Sequence, residues 1–97
     1  MTVTVIELLT VCDDSPLELA AYFQATTPLM EKAGARVLKR FGINEVVVRP
    51  RPARTVRIVQ YPDRAAVEAL FGSAEYEQVI PIRDQAFLDY RVSIVGD

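Results

Sequence analysis

The chain has 97 residues, about half of them hydrophobic, a net charge of −2 and one cysteine. That length and composition suit a single domain with one core, and the slight acidic balance argues against nucleic-acid binding, which calls for a basic excess. A lone cysteine excludes an intrachain disulfide framework and points to a reducing, cytoplasmic setting, and no run approaches the roughly 20 apolar residues of a membrane helix, so no membrane partner is expected.

Residues 2–11 alternate and are rich in β-branched side chains, which predicts a strand, central because both of its faces are apolar. The stretch from Met1 to Val11 lacks a basic leader and a small-residue cleavage site, so it reads as a strand and not as a signal peptide. Asp13-Asp14-Ser15-Pro16 is a turn that becomes a helix start: Ser15 suits the N-cap, Pro16 the first helical position, and Glu18 completes a capping box. The helix is expected to run to about Ala33, where Gly34 stops it. Leu19, Tyr22, Phe23, Leu29, Met30 and Ala33 form its apolar face.

A second strand is expected over residues 35–41, interrupted near Gly42-Ile43-Asn44 and resumed over 45–49. Arg49-Pro50-Arg51-Pro52 makes a stiff turn, because each proline fixes φ and removes a donor. Thr55 to Tyr61 reads as a third strand, and Asp63 caps a helix from about Arg64 to Phe71 that Gly72 ends. Ser73 opens another helix, expected to reach Phe87 with a kink or break near Pro81. Tyr90 to Val95 reads as the last strand.

The predicted order is β-α-β-β-α-β with the second helical region in two pieces, the ferredoxin-like split βαβ pattern: an α+β fold of one domain over residues 1–97. Helices cover one face of a four-stranded antiparallel sheet and leave the other bare. That other face is also apolar, since Ile6 and Leu8 lie opposite in phase to Val5 and Leu9. An identical sheet related by a two-fold axis would cover it, so the expected partner is a second copy of the chain, in a homodimer whose sheets face each other.

Tyr61-Pro62-Asp63, the Ala65-Ala66 helix, Ser73-Ala74-Glu75-Tyr76 and Arg83 together resemble the pattern of the domain of unknown function 1330 family, within the dimeric α+β barrel superfamily. Tyr22, Pro28 and Gly34 fall where such proteins carry a tyrosine, a proline and a helix-ending glycine. The resemblance covers nearly the whole chain and implies a dimeric α+β barrel. One departure is Arg40-Phe41-Gly42, where family members often show Arg-Gly-Gly. The family has no established general activity. Its superfamily holds cofactor-free monooxygenases, muconolactone isomerases, haem-degrading enzymes and plain dimeric binding proteins, and fold alone does not choose among them.

Histidine is absent, which removes the usual general base at neutral pH and the commonest metal ligand. With one cysteine, a zinc or iron site is not expected, and there is no phosphate loop or nucleophile elbow. Three residues are the candidate ligand-binding set. Tyr76 and Arg83 are seven residues apart, two turns of one helix on the same side, in a stripe with Val79, Ile80, Ala86 and Phe87 that should face the core. They either line a pocket for an anionic or carbonyl-bearing molecule, or pack internally with Arg83 on a carboxylate. Glu7 shares a strand face with Val3, Val5, Leu9 and Val11, so it is either a ligand anchor or base, or the internal partner of Arg83 or Arg57.

Arg49, Arg51, Arg54 and Arg57 cluster around the proline turn, where an anion trap competes with the preferred reading of a solvated hairpin tip. Tyr90 is expected in the core or at an interface. The sequence thus leads to a small-molecule-binding homodimer without metal or organic cofactor. A cofactor-independent isomerase or monooxygenase and a purely structural dimer are the alternatives.

Overall fold

Period-two alternation and period-3.6 stripes alternate along the chain, and the computed structural model, which describes residues 2–48 and 54–96, turns them into four strands and three helices. In order these are β1 (Val3–Val11), α1 (Pro16–Ala33), β2 (Arg36–Gly42), β3 (Thr55–Tyr61), α2 (Arg64–Phe71), α3 (Ala74–Ala86) and β4 (Phe87–Val95). The sheet order is β2-β3-β1-β4 and every neighbouring pair is antiparallel. This is the ferredoxin-like α+β arrangement, with β3 lying between β1 and β2.

Directly opposed residues of an antiparallel pair share a face. On β1 the odd-numbered residues Val5, Glu7 and Leu9 are buried under the helices, and so are Arg57 and Val59 of β3, which pair with Glu7 and Val5, and Tyr61, which pairs with Val3. Tyr22 of α1, Val67 and Leu70 of α2, and Tyr76, Val79 and Ala86 of α3 close the core from above. The even phase faces away: Ile6 pairs with Ile58 and Leu8 with Val56, while Phe41 of β2 lies beside Val56. These five side chains make an apolar strip on the uncovered face, where Phe41 is exposed.

Helix ends follow local chemistry with one exception. Asp63 accepts from the Ala66 amide at 2.8 Å and Ser73 from the Tyr76 amide at 3.1 Å, so both predicted caps form. Gly34 closes α1 at φ 75°; its amide donates to the Glu31 carbonyl and the Ala35 amide to the Met30 carbonyl. Together they make a Schellman motif that a β-carbon would oppose. Such a carbon at Gly34 would also lie 2.8 Å from Pro62 Cγ. The exception is Ser15, which makes no side-chain cap; its hydroxyl turns instead toward the Cys12 sulfur at 3.9 Å.

Three further expectations are corrected. Pro81 does not break α3, which runs unbroken from Ala74 to Ala86. Proline removes one amide donor, and packing of α3 against α1 holds the flanking turns together. The last strand begins at Phe87, three residues earlier than its alternation indicates, because a register shift opposite Thr10 and Val11 lets the exposed Leu88 bulge out. No strand resumes over 45–48, where Val47 and Val48 stand exposed; Arg49, and with it Pro50 to Pro52, lies outside the described residues.

Candidate functional site

The register that pairs β1 with β3 sets Glu7 directly across from Arg57. Their side chains meet at 2.6 Å, Arg57 Nε donating to Glu7 Oε1, with Glu7 1% and Arg57 6% exposed. The guanidinium also donates to the Met30 sulfur at 3.8 Å and lies 5.7 Å from the centre of the Phe23 ring. Burial works against the charge on Arg57, but the hydrogen bond and field of Glu7 outweigh it and raise its pKa, so the cation persists. Arg57 therefore does not join a surface cluster with Arg54: it leaves the hairpin base and enters the core, because position 57 falls in the inward phase of β3. Glu7 is engaged by Arg57 and not by Arg83, the other partner that the sequence left open.

Above this pair, three elements bring three tyrosines together. Tyr22 of α1 donates to the Tyr90 hydroxyl of β4 at 2.7 Å and contacts the Tyr76 hydroxyl of α3 at 2.9 Å. The rings meet edge to face, with Phe87 and Phe71 completing the aromatic layer. Burial raises the pKa of Tyr22 far above that of a free phenol, aided by the neighbouring Tyr90. Tyr90 is raised likewise, first by burial and then by the charge of Glu7. Between ion pair and tyrosines lies a void of about 10 Å³ walled by Glu7, Arg57, Tyr22, Tyr76 and Tyr90, at the lower limit of space for one water. Tyr61 is 1% exposed, and its hydroxyl is the one buried side-chain polar atom among the described residues without a hydrogen-bond partner. Its pKa is pushed up to about 12, by burial first and then by Glu7.

Arg83 stands at the outer edge. Its guanidinium donates to the Tyr76 hydroxyl at 3.4 Å and lies 5.9 and 5.7 Å from the centres of the Tyr76 and Tyr90 rings. It also contacts Asp84 at 3.3 Å, and its side chain keeps 27% of its exposure. Burial lowers its pKa, while the bonds to Tyr76 and Asp84 raise it by more. The stripe that was to face the core thus divides: Tyr76, Val79, Ala86 and Phe87 are buried, and Arg83 reaches the rim. It opens on a groove of about 390 Å³ between α2, α3 and β4, lined by Val67, Glu68, Phe71, Tyr76, Tyr90 and Val92 with Ile94 at the edge. Among the described residues, Arg83 is the one cation in that lining.

Sequence spacing brought Tyr76 and Arg83 together; it did not bring Tyr22 and Tyr90 to them. A usable signal was present in Tyr22, a phenol in the middle of an apolar helix face, whose hydroxyl needs a buried partner. No group of acidic, cysteine or histidine residues able to hold a metal ion occurs among the described residues, and no helix is long and apolar enough to cross a membrane.

The family model described as Domain of unknown function (DUF1330) matches residues 4–96. Among solved structures, a protein of unknown function from Rhodopseudomonas palustris is similar at a TM-score of 0.82 and 20% identity, over 97% of this chain and 80% of that one. A Bordetella bronchiseptica protein with the provisional name antibiotic biosynthesis monooxygenase is similar at 0.68 and 15% identity, over 99% and 96% of the two chains. A dimeric ferredoxin-like protein of unknown function from Thermobifida fusca is similar at 0.59 and 10% identity, over 99% and 91%. Likeness at these identities is likeness of fold. No curated protein matches.

Two predictions follow from this geometry. Glu7→Ala or Arg57→Ala should each lose about 3–5 kcal/mol of stability, since each strands a buried charge. Arg83→Leu should lose about 1 kcal/mol or less, its bonds being those of a rim residue. Denaturant unfolding of the three variants checks the contrast, and equal losses would contradict it.

The buried tyrosines fix an alkaline limit. Tyr61 holds its proton to about 12 in the folded chain against 10.0 for a free phenol, so its stabilising contribution is whole below pH 10 and is lost as pH rises through 12. Tyrosinate absorbance should therefore appear for Tyr61 only as pH approaches about 12, and for Tyr22 and Tyr90 only together with loss of circular dichroism. Their ionisation near pH 10 in a folded chain would show that the layer is not sealed.

Proposed function

The chain belongs to the domain of unknown function 1330 family, and from that premise we propose that it binds a small anionic or carbonyl-bearing organic molecule, without a cofactor, in the groove beside α3. The observation that carries this reading is Arg83: a cation at the rim of a groove that is apolar and phenolic apart from Glu68, held by Tyr76 and stacked near two rings. Such a guanidinium is partly desolvated and preorganised, so an anion gains more from it than from a free surface arginine. Tyr76 completes the rim. Glu7 would act from beneath, orienting the tyrosine layer through the field it shares with Arg57.

The protein works in this reading as a cytosolic homodimer joined through the open sheet faces. The apolar strip of Ile6, Leu8, Phe41, Val56 and Ile58 supports that interface. So does the dimeric Thermobifida fusca neighbour with the same fold.

An isomerase or monooxygenase acting without a cofactor is the second reading, favoured by the provisional name of the Bordetella bronchiseptica neighbour. It needs a base. Burial keeps the Tyr22 and Tyr90 phenols protonated at neutral pH, and Glu7 is already engaged by Arg57. The observed groups thus support binding better than proton abstraction.

Thermal shifts against a panel of small carboxylates, phosphates, phenols and lactones test the binding reading. A ligand at a hundred times its Kd adds about 2.7 kcal/mol, which moves the midpoint of a domain this size by about 10 °C or more. The expected result is a hit that disappears in Arg83→Leu; a hit that survives that change would place binding elsewhere, and a silent panel would favour the structural dimer. For assembly, Ile58→Asp should yield monomers by sedimentation, since it buries a charge in the proposed interface. Persistence of the dimer would remove the sheet face from consideration.

A further inference from the structure

The hydrogen-bond directions among the tyrosines leave one proton over. Tyr22 has a single hydroxyl hydrogen and gives it to Tyr90. In its 2.9 Å contact with Tyr76, Tyr22 must therefore accept, and Tyr76 donates. Tyr76 in turn accepts from Arg83. The chain of donors runs from Arg83 through Tyr76 and Tyr22 to Tyr90, and the Tyr90 hydrogen has no acceptor among the described residues. Tyr90 borders the groove, and its ring lies 5.7 Å from the Arg83 guanidinium.

We infer that the groove takes an aryl monocarboxylate whose carboxylate accepts from Arg83 and from the Tyr90 hydroxyl together, so that Tyr90 is a further ligand-binding residue. This inference rests on the reading that the groove binds a ligand. Three observations select the class. Among the described residues the lining supplies one cation, which Asp84 already contacts, while Glu68 in the same lining pairs with Arg64, so a dianion meets too little positive charge. The walls are Phe71 and the Tyr76 and Tyr90 rings with the branched side chains of Val67 and Val92, surfaces that suit a flat ring. The volume of about 390 Å³ also admits a substituted ring, a cavity of about 150 Å³ being enough for benzene. A phenol is protonated at neutral pH, and burial pushes Tyr90 further in that direction, so it meets a carboxylate as a donor and not as a repelling phenolate.

Calorimetric titration of the full chain with benzoate, benzamide and phenyl phosphate tests the inference, followed by Tyr90→Phe with benzoate. Benzoate should bind best, with benzamide and phenyl phosphate each weaker by about tenfold or more, the worth of a charge-assisted hydrogen bond. Tyr90→Phe should lose about tenfold for benzoate and little for benzamide. Unchanged benzoate affinity in a folded Tyr90→Phe would overturn the role of Tyr90. If that variant does not fold, the ranking of the three probes on the native chain decides the ligand class by itself. Tighter, Arg83-dependent binding of phenyl phosphate would overturn the monocarboxylate class while leaving the groove as a binding site. Silence from all three probes overturns the class alone if the wider panel yields an Arg83-dependent hit, and overturns both readings if it does not.

Discussion

A carboxylate and a guanidinium buried side by side at the centre of the sheet constrain everything around them. Glu7 and Arg57 face each other across the two central strands, and neither reaches solvent to any useful extent. A register slip of one residue would carry Ile6 or Ile58 to the helix side and push a charge onto the open face, so the pair and the apolar alternation enforce the same register. Its worth is mainly in what its loss would cost: one member removed leaves the other buried and unmatched, whereas the intact pair adds little over a well-packed apolar couple.

The helices accommodate this charge with polarisable and aromatic groups. Met30 and Phe23 from α1 lie on the Arg57 guanidinium, and the tyrosine layer sits over Glu7. Burial opposes ionisation of Tyr22 and Tyr90, aided at Tyr22 by the neighbouring Tyr90 and at Tyr90 by the charge of Glu7. The result is a polar stratum inside an apolar core, neutral apart from one balanced pair, that ends at Arg83 on the rim. The inner charges hold the fold together, and the outer one faces a groove.

The sheet's two faces divide these tasks. Helix-side residues make the core and the groove, and the far side carries the uncovered apolar strip of Ile6, Leu8, Phe41, Val56 and Ile58. Edge strands β2 and β4 each contain a register irregularity, between Val37 and Lys39 and opposite Thr10 and Val11. Bulges of this kind twist an edge and spoil it as a template for uncontrolled pairing.

Local pattern determined most of the architecture. Thr55–Tyr61 and Arg64–Phe71 could be bounded to the residue because alternation, an aspartate cap and a terminal glycine all act within a few positions. The seven-residue spacing put Tyr76 and Arg83 on one side of α3 for the same reason. Pro81 and Phe87 went the other way: packing kept α3 whole, and a bulge started β4 early, both set by neighbours distant in sequence. Partner choice was likewise beyond local pattern. Glu7 and Arg57 are 50 residues apart, and Tyr22 and Tyr90 are 68 apart. One sequence offered Glu7 two arginines and gave Tyr22 no visible hydroxyl to meet. Spacing along a chain specifies which face a side chain takes; only the crossing of strands and helices specifies what stands opposite, because hydrogen bonds and ion pairs are decided within about 3 Å.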